Sequence, residues 1–429
     1  MPDRVFLIRA LGLYLPIGVA ALAWRRRAIV PREATGVMLA IVWNFVALIG
    51  VNITAVPAGW WRFEASGALL FGIPLDLLLG WTVLWGAVAP LVAPRAPLPA
   101  IITVAVIADL LVMPLCAPIV QLGDRWLIGE AVAVLVALIP ALMLARWTAE
   151  DRHLPARAGL QMICFGALVL GVLPGTILAH TEGSWAPLAH ASARGLVFQL
   201  QLVAVPALLG VSALQEFVER GRGTPLPFDA PRRLVTTGPY AYVANPMQLS
   251  AAVLLVAWGT VLHSWWIALA GVMGWIYGAG LARMDEGVDL ERRFGDPWVQ
   301  YRRTVRDWIP RWRPSHPPAR LYVAMSCGPC SEIARWFAAS GAVALEVVPA
   351  EAHPTRDLRR ITYELSDDPA VNEEGVAALA RAVEHINLGW AMLGFLVRLP
   401  LVRPTLQLLA DVSGGEERVV ERGTDACRA

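Results

Sequence analysis

The 429-residue chain contains no lysine; all 36 of its basic residues are arginine. A lysine Schiff base is therefore excluded as a catalytic device. Charge of either sign is scarce: 16% of residues are charged against 57% hydrophobic, with a mean hydropathy of +0.55. That balance excludes an ordinary soluble enzyme. A net charge of +2 provides no basic field, so no nucleic-acid partner is expected. Five cysteines are too few and too scattered for a disulfide framework. Cys116 and Cys164 lie in apolar runs, and only Cys327 and Cys330 form a pattern. That pattern lacks the second ligand pair of a zinc site, and the histidines show no metal spacing, so no metal is expected. The first apolar run, from Val5, is followed by Arg25, Arg26 and Arg27 with no small-residue cleavage site, which favours a retained helix over a signal peptide.

Long apolar runs, in contrast, are abundant. They fall near 5–24, 36–56, 66–93, 98–121, 127–145, 158–180, 195–216, 246–262 and 264–283. This predicts a polytopic α-helical membrane protein of about nine spans, the last two short enough to form a tilted or partly buried hairpin. Arginines concentrate in alternate loops: Arg25–Arg27 with Arg32, then Arg95, then Arg146, Arg152 and Arg157, then Arg220, Arg222, Arg232 and Arg233. The positive-inside rule places these loops in the cytoplasm, with the amino terminus outside and the carboxyl terminus inside a bacterial inner membrane. Membrane lipids are then the immediate partners.

After Ala282 the composition turns polar, and "RPSHPPAR" (Arg313 to Arg320) reads as a proline-rich linker. Beyond it, "LYVAMS", "ALEVVPA" and "RITYEL" read as strands, and "SEIARWFAAS" and "EEGVAALARAVEHI" as helices. A small cytoplasmic α/β domain is expected there. The apolar run after it is interrupted by Arg398, Pro400 and Arg403, and is read as covering helices rather than another span. Three regions follow: a bundle over 1–193, a membrane module over 194–314 and the α/β domain over 315–429.

The stretch "TGPYAYVANPMQL" (Thr237 to Leu249) stands at the start of the eighth apolar run. Asn245 suits an N-cap and Pro246 the first helical position, where its missing N–H costs nothing. Gly238-Pro239 marks a turn, and Tyr240 and Tyr242 suit an interface. A helix start at Pro246 also turns unpaired N–H groups and a positive dipole end outward, a seat for a carboxylate or phosphate. Tyrosine faces nearby can hold a cation.

In order along the chain, "GTPLPFDAPRRLVTTGPYAYVANPMQL", a short apolar hairpin and "DEGVDLERRFGDPWVQYRRTVRDWIPR" resemble the isoprenylcysteine carboxyl methyltransferase family. Its wider superfamily includes phospholipid N-methyltransferases. The resemblance implies an S-adenosylmethionine pocket lined by Gly238, Pro239, Tyr240, Tyr242, Asn245 and Pro246, with Glu286 and Tyr301 from the second block. It implies a methyl acceptor that is a lipid, an isoprenoid or a small thiol or apolar molecule. Glu286 or Glu291 would orient or deprotonate that acceptor, and Arg292 or Arg293 would hold an anionic group on it. Ala244, Gln248 and Gly287 depart from the family's pattern, and the departures bear on the acceptor more than on the cofactor.

"SCGPCSEIARW" puts Cys327 after a strand and Cys330 in the first turn of a helix. The helix N-terminus lowers a thiol's pKa, so Cys327 is the expected nucleophile and Cys330 the resolving thiol. The domain resembles thioredoxin-like folds, and its later part resembles the DCC family of thiol–disulfide oxidoreductases, with Ser326 in place of that family's leading aspartate. Finally, Asp76 and Asp109 fall near the middle of expected spans and Glu130 nearer an outer end; intramembrane carboxylates are expensive and mark either function or polar packing. The combined expectation is a membrane-embedded methyltransferase fused to a thiol–disulfide domain. A membrane oxidoreductase with a non-catalytic methyltransferase-like scaffold, and a transporter built on Asp76 and Asp109, are the alternatives.

Overall fold

The computed structural model describes residues 2–421 except 65, 226–228, 327, 367 and 369–371; of 2–3 and 281–286 it describes the backbone alone. Cys327, Cys427 and the side chain of Glu286 thus lie outside the described residues. The protein is mostly helical. Seven helices among the described residues are long and apolar enough to cross a membrane: α1 (Arg4–Arg26), α2 (Pro31–Ala58), α3 (Leu75–Val92), α4 (Leu98–Cys116), α5 (Trp126–Ala149), α6 (Leu154–His180) and α7 (Ala193–Gly221). The two further spans expected are shorter helices, α8 (Pro246–Val261) of 16 residues and α9 (Trp265–Tyr277) of 13. They form a hairpin in which the absent side chain of Gly259 lets the backbone of Ala268 approach.

Contacts divide the chain into two compact units, Met1–Trp185 with Gly223–Ala230, and Ala186–Arg222 with Pro231–Ala429. In the first, α2 packs along α3, α5 and α6. Its core includes Leu48, Ile49, Leu77, Trp85, Leu138 and Leu142. A ribbon joins β1 (Trp61–Phe63) to β4 (Val120–Leu122). Between them, β2 (Leu69–Leu70) and β3 (Ile73–Pro74) pair across Phe71 and Gly72, both at positive φ, as a two-residue hairpin turn demands. That hairpin shortens the span expected from residue 66. Asp76 therefore sits in the first turn of α3, ion-paired with Arg9, and not at mid-span.

Prolines shape the spans. π-Turns at Leu84–Val88, Val134–Leu138 and Leu168–Val172 are each followed two residues on by Pro90, Pro140 or Pro174. A proline inside a helix removes one i→i−4 bond and crowds the carbonyl four residues back, and the widened turn relieves both. The carbonyl Pro140 cannot serve is that of Val136; the Trp43 indole donates to it at 2.9 Å.

The second unit joins α7 and the α8–α9 hairpin to two amphipathic helices, α10 (Arg283–Phe294) and α11 (Asp296–Thr304), and to an α/β region. Its sheet contains β5 (Ala319–Val323), β6 (Leu345–Pro349), β7 (Thr362–Leu365) and β8 (Asn372–Glu374) in the order β6-β5-β7-β8. β5 and β6 are parallel, and β7 is antiparallel to β5 and β8. β8 was not expected; three polar residues carry no alternating signal. Helices α12 (Gly328–Ala339) and α13 (Val376–Val383) cover one face, where Ala334, Phe337, Ala378 and Ala382 meet Leu321, Val323 and Tyr363. The interrupted apolar run becomes α14 (Leu388–Arg398) and α15 (Val402–Ala410), bent about 90° from each other. α14 packs on α13 and on α7.

Candidate functional site

The turn Gly238–Ala241 is a short 3-10 helix resting on the end of α7. Gly238 has φ +60°, and a Cβ there would stand 3.1 Å from the Glu216 carboxyl carbon, so both backbone and space require glycine. Thr237 donates its hydroxyl to Glu216. Pro239 is buried, and the Tyr240 ring packs among Ala213, Phe217, Val235 and Met247. Tyr242 is fully buried against Ala241, Ala391 and Phe395, and donates to the Glu384 carbonyl at 2.6 Å.

The second block of the resemblance folds onto this turn. Tyr301 of α11 donates its hydroxyl to the Tyr240 carbonyl at 2.8 Å. Ala244 N–H donates to the Arg306 carbonyl at 2.9 Å and Asn245 N–H to the Asp307 carbonyl at 3.2 Å. Arg311 N–H and Ser315 N–H donate to the carbonyls of Tyr242 and Ala241, both at 2.9 Å. Residues 241–245 and 306–315 thus form one hydrogen-bonded layer. Trp308 reaches the α8–α9 hairpin: its ring would lie 2.9 Å from a Cβ on Gly278, and it meets Trp275 edge-on at 6.4 Å.

Three polar groups here are uncommitted. The Tyr240 hydroxyl and the Trp308 indole N–H are buried without a hydrogen-bond partner among the described residues. Asn245 occupies the N-cap of α8 but makes no side-chain capping bond, contrary to its expected role. Pro246 is buried at the first helical position as expected. Burial, above all, pushes the hydroxyls of Tyr240, Tyr242 and Tyr301 above the usual phenol range, so all three are neutral donors. Glu286 lies on α10, its side chain outside the described residues. Glu291 and Arg292 are exposed on the same helix, and Arg293 donates to the Pro231 carbonyl at 2.5 Å.

Beneath the turn lies a feature the sequence did not single out. Glu216, with 0% exposure, pairs with Arg381 at 2.8 Å and Arg398 at 3.1 Å. Glu384, also fully buried, pairs with the same two arginines at 3.3 and 3.1 Å. His385 donates from Nδ1 to the Val343 carbonyl at 2.7 Å and accepts at Nε2 from the Tyr363 hydroxyl at 2.9 Å. Burial pushes its pKa down to about 4. The only sequence signal was one acid and one arginine, each isolated in an apolar run.

In the α/β region Cys330 is half-buried in the first turn of α12, against the core that contains Ile333 and Phe337. The Glu351 carboxylate accepts from Met325 N–H at 3.1 Å, Ser326 N–H at 3.2 Å and the Ser326 hydroxyl at 3.1 Å. Burial alone would push Glu351 up, but these bonds outweigh it and hold the carboxyl below its usual range.

No family model, curated protein or solved structure matches the chain.

Proposed function

We propose that the membrane part of the second unit is an S-adenosylmethionine-dependent methyltransferase, acting on a lipid, isoprenoid or small thiol or apolar acceptor that arrives from the bilayer. One observation carries this reading. The two blocks of the family's pattern, some sixty residues apart, meet as one hydrogen-bonded layer at the start of α8. Chance agreement of a turn with a motif does not require its distant partner to fold onto it.

The residues present fit such a cofactor. Among the described residues, Tyr240 Oη and Trp308 Nε1 have no hydrogen-bond partner and the Asn245 amide makes no capping bond, and the adjacent N-terminus of α8 favours a carboxylate. The half-buried ring of Trp308 offers an aromatic face that suits a sulfonium. S-adenosylmethionine supplies an electrophilic methyl group; the chain's part is to position the acceptor and keep water out. Glu286 is the residue assigned to orient the acceptor.

The cytoplasmic orientation of this layer follows from the arginine-rich loops, and a hairpin in place of two full spans leaves the orientation unchanged. Purified protein in detergent should bind S-adenosylmethionine by calorimetry. Asn245→Ala, Trp308→Phe and Glu286→Ala should each weaken binding about tenfold, the worth of one hydrogen bond to a charged group. Unchanged affinity in all three would remove the site assignment.

A second activity is favoured by the α/β region. A parallel strand–helix–strand unit followed by an antiparallel hairpin and a helix supports a thioredoxin-like fold, and Glu351 fastens the turn that leads into Cys327. Thiol–disulfide exchange by Cys327 and Cys330 is the proposed chemistry. A redox titration that finds no disulfide between them under any oxidant sinks it.

A further inference from the structure

The first unit contains a partly open cavity of about 50 Å³ between α2, α3, α4, α5 and the β1–β4 ribbon. Its wall is apolar and aromatic except for Asp109, Glu130 and Asn52, beside Trp61, Trp81 and Trp85. Both carboxyl residues are only 5% exposed. The Trp81 indole donates to Asp109 Oδ1 at 2.9 Å. Asn52 is spent: Oδ1 accepts from the Trp61 indole at 2.9 Å, and Nδ2 donates to the Leu48 carbonyl at 2.8 Å. No donor among the described residues reaches Glu130 Oε1. Glu130 is hydrogen-bonded to Asp109, so one proton is held between the two carboxyls and spent on that bond.

With one proton between them the two carboxyls keep one negative charge in an apolar space, and no counter-charge faces it among the described residues. No arginine lines the cavity, and the nearby Arg9 is committed to Asp76. A buried acceptor without a donor costs about 1–3 kcal/mol, more when charged, so a native structure that keeps one has a use for it. The missing species must carry positive charge and N–H or O–H donors, and aromatic faces around it add to its attraction. Three side chains with oxygen donors are too few to replace the shell of a hard metal ion, which takes about six to eight. A water needs about 10–15 Å³ of such space, so the cavity holds roughly three or four heavy atoms.

We propose that this cavity binds a small primary ammonium cation, of the size of ammonium to ethylammonium, held by its N–H groups between Asp109 and Glu130. A quaternary ammonium is excluded twice, by size and by its lack of N–H donors.

The experiment uses the full chain in detergent at neutral pH, its thermal midpoint titrated with methylammonium chloride, tetramethylammonium chloride and sodium chloride at matched ionic strength. Methylammonium should raise the midpoint saturably by several degrees, and the other two salts should not. Asp109→Asn and Glu130→Gln, which keep shape and an acceptor for Trp81, should abolish the response. Equal effects of the three salts in the wild type overturn the proposal without reference to any variant. So does a wild type indifferent to methylammonium with a Glu130→Gln protein of unaltered midpoint, the pattern of two carboxyls that share a proton and bind nothing else.

Discussion

Replacement of Glu216 by glutamine tests how the second unit is held together. The wild-type cluster places two fully buried carboxylates, Glu216 and Glu384, against two buried arginines, Arg381 and Arg398. The glutamine keeps the shape and one acceptor for Thr237 but leaves two buried guanidinium groups facing one buried carboxylate. Breaking a buried ion pair by removing one partner costs about 3–5 kcal/mol. Glu219, 38% exposed and 3.0 Å from Arg398, compensates in part, which places the expectation near the lower figure, about 3 kcal/mol. For a unit of this size that is a fall in thermal midpoint of about 6–12 °C. Tryptophan fluorescence during heating in detergent reads it. The decisive comparison is Glu216→Gln combined with Arg398→Met: removal of both charges should restore part of the loss, because neither is then left unpaired. A single variant within about 2 °C of wild type, or a double variant as unstable as the sum of its parts, refutes the reasoning.

Three further outcomes are expected. His385 is held neutral with a folded pKa of about 4 against 6.5, so the unfolded chain binds the extra proton first; its contribution, about 3 kcal/mol, is intact above pH 6.5 and lost as pH falls toward 4. A flat acid limb of the stability curve between those values would contradict the neutral tautomer. Gly238→Ala places a side chain at φ +60° and 3.1 Å from Glu216, and should cost about 1–3 kcal/mol, whereas Gly274→Ala, inside α9 with open space around it, should stabilise by about 0.4–1 kcal/mol in the same melting assay. Tyr242→Phe leaves the Glu384 carbonyl without its 2.6 Å donor and should cost about 1–3 kcal/mol, with faster hydrogen exchange in α14 as an independent reading.

Much of the helical layout was legible because bilayer-length apolar runs have few other uses. Boundaries failed where local turn chemistry intervened: Phe71 and Gly72 cut the third run into a hairpin plus α3, which moved Asp76 from mid-span to a helix end. The expected strands and helices of the α/β region appear because their apolar periods are strong, while polar β8 gave no such signal. At the candidate site the clustering of Gly238, Pro239, Tyr240, Tyr242 and Tyr301 was anticipated, but not what their side chains do. Tyr242 and Tyr301 spend their hydroxyls on backbone carbonyls, and Asn245 leaves its cap unmade. Such commitments depend on residues more than fifty positions away, and no local pattern encodes them. The Glu216–Arg398 pair spans 182 residues and lay beyond any motif for the same reason.

That separation also sets a clock. Synthesis adds about 5–20 residues per second, so Arg398 emerges roughly 10–40 s after Glu216. For that interval the end of α7 carries a carboxylate whose final counter-charges do not yet exist, with Arg220 one helical turn away as its interim neighbour. A segment made late therefore completes the buried cluster of the second unit, and a ribosome that stops before Arg381 leaves Glu216 with Arg220 in place of its two closer arginines.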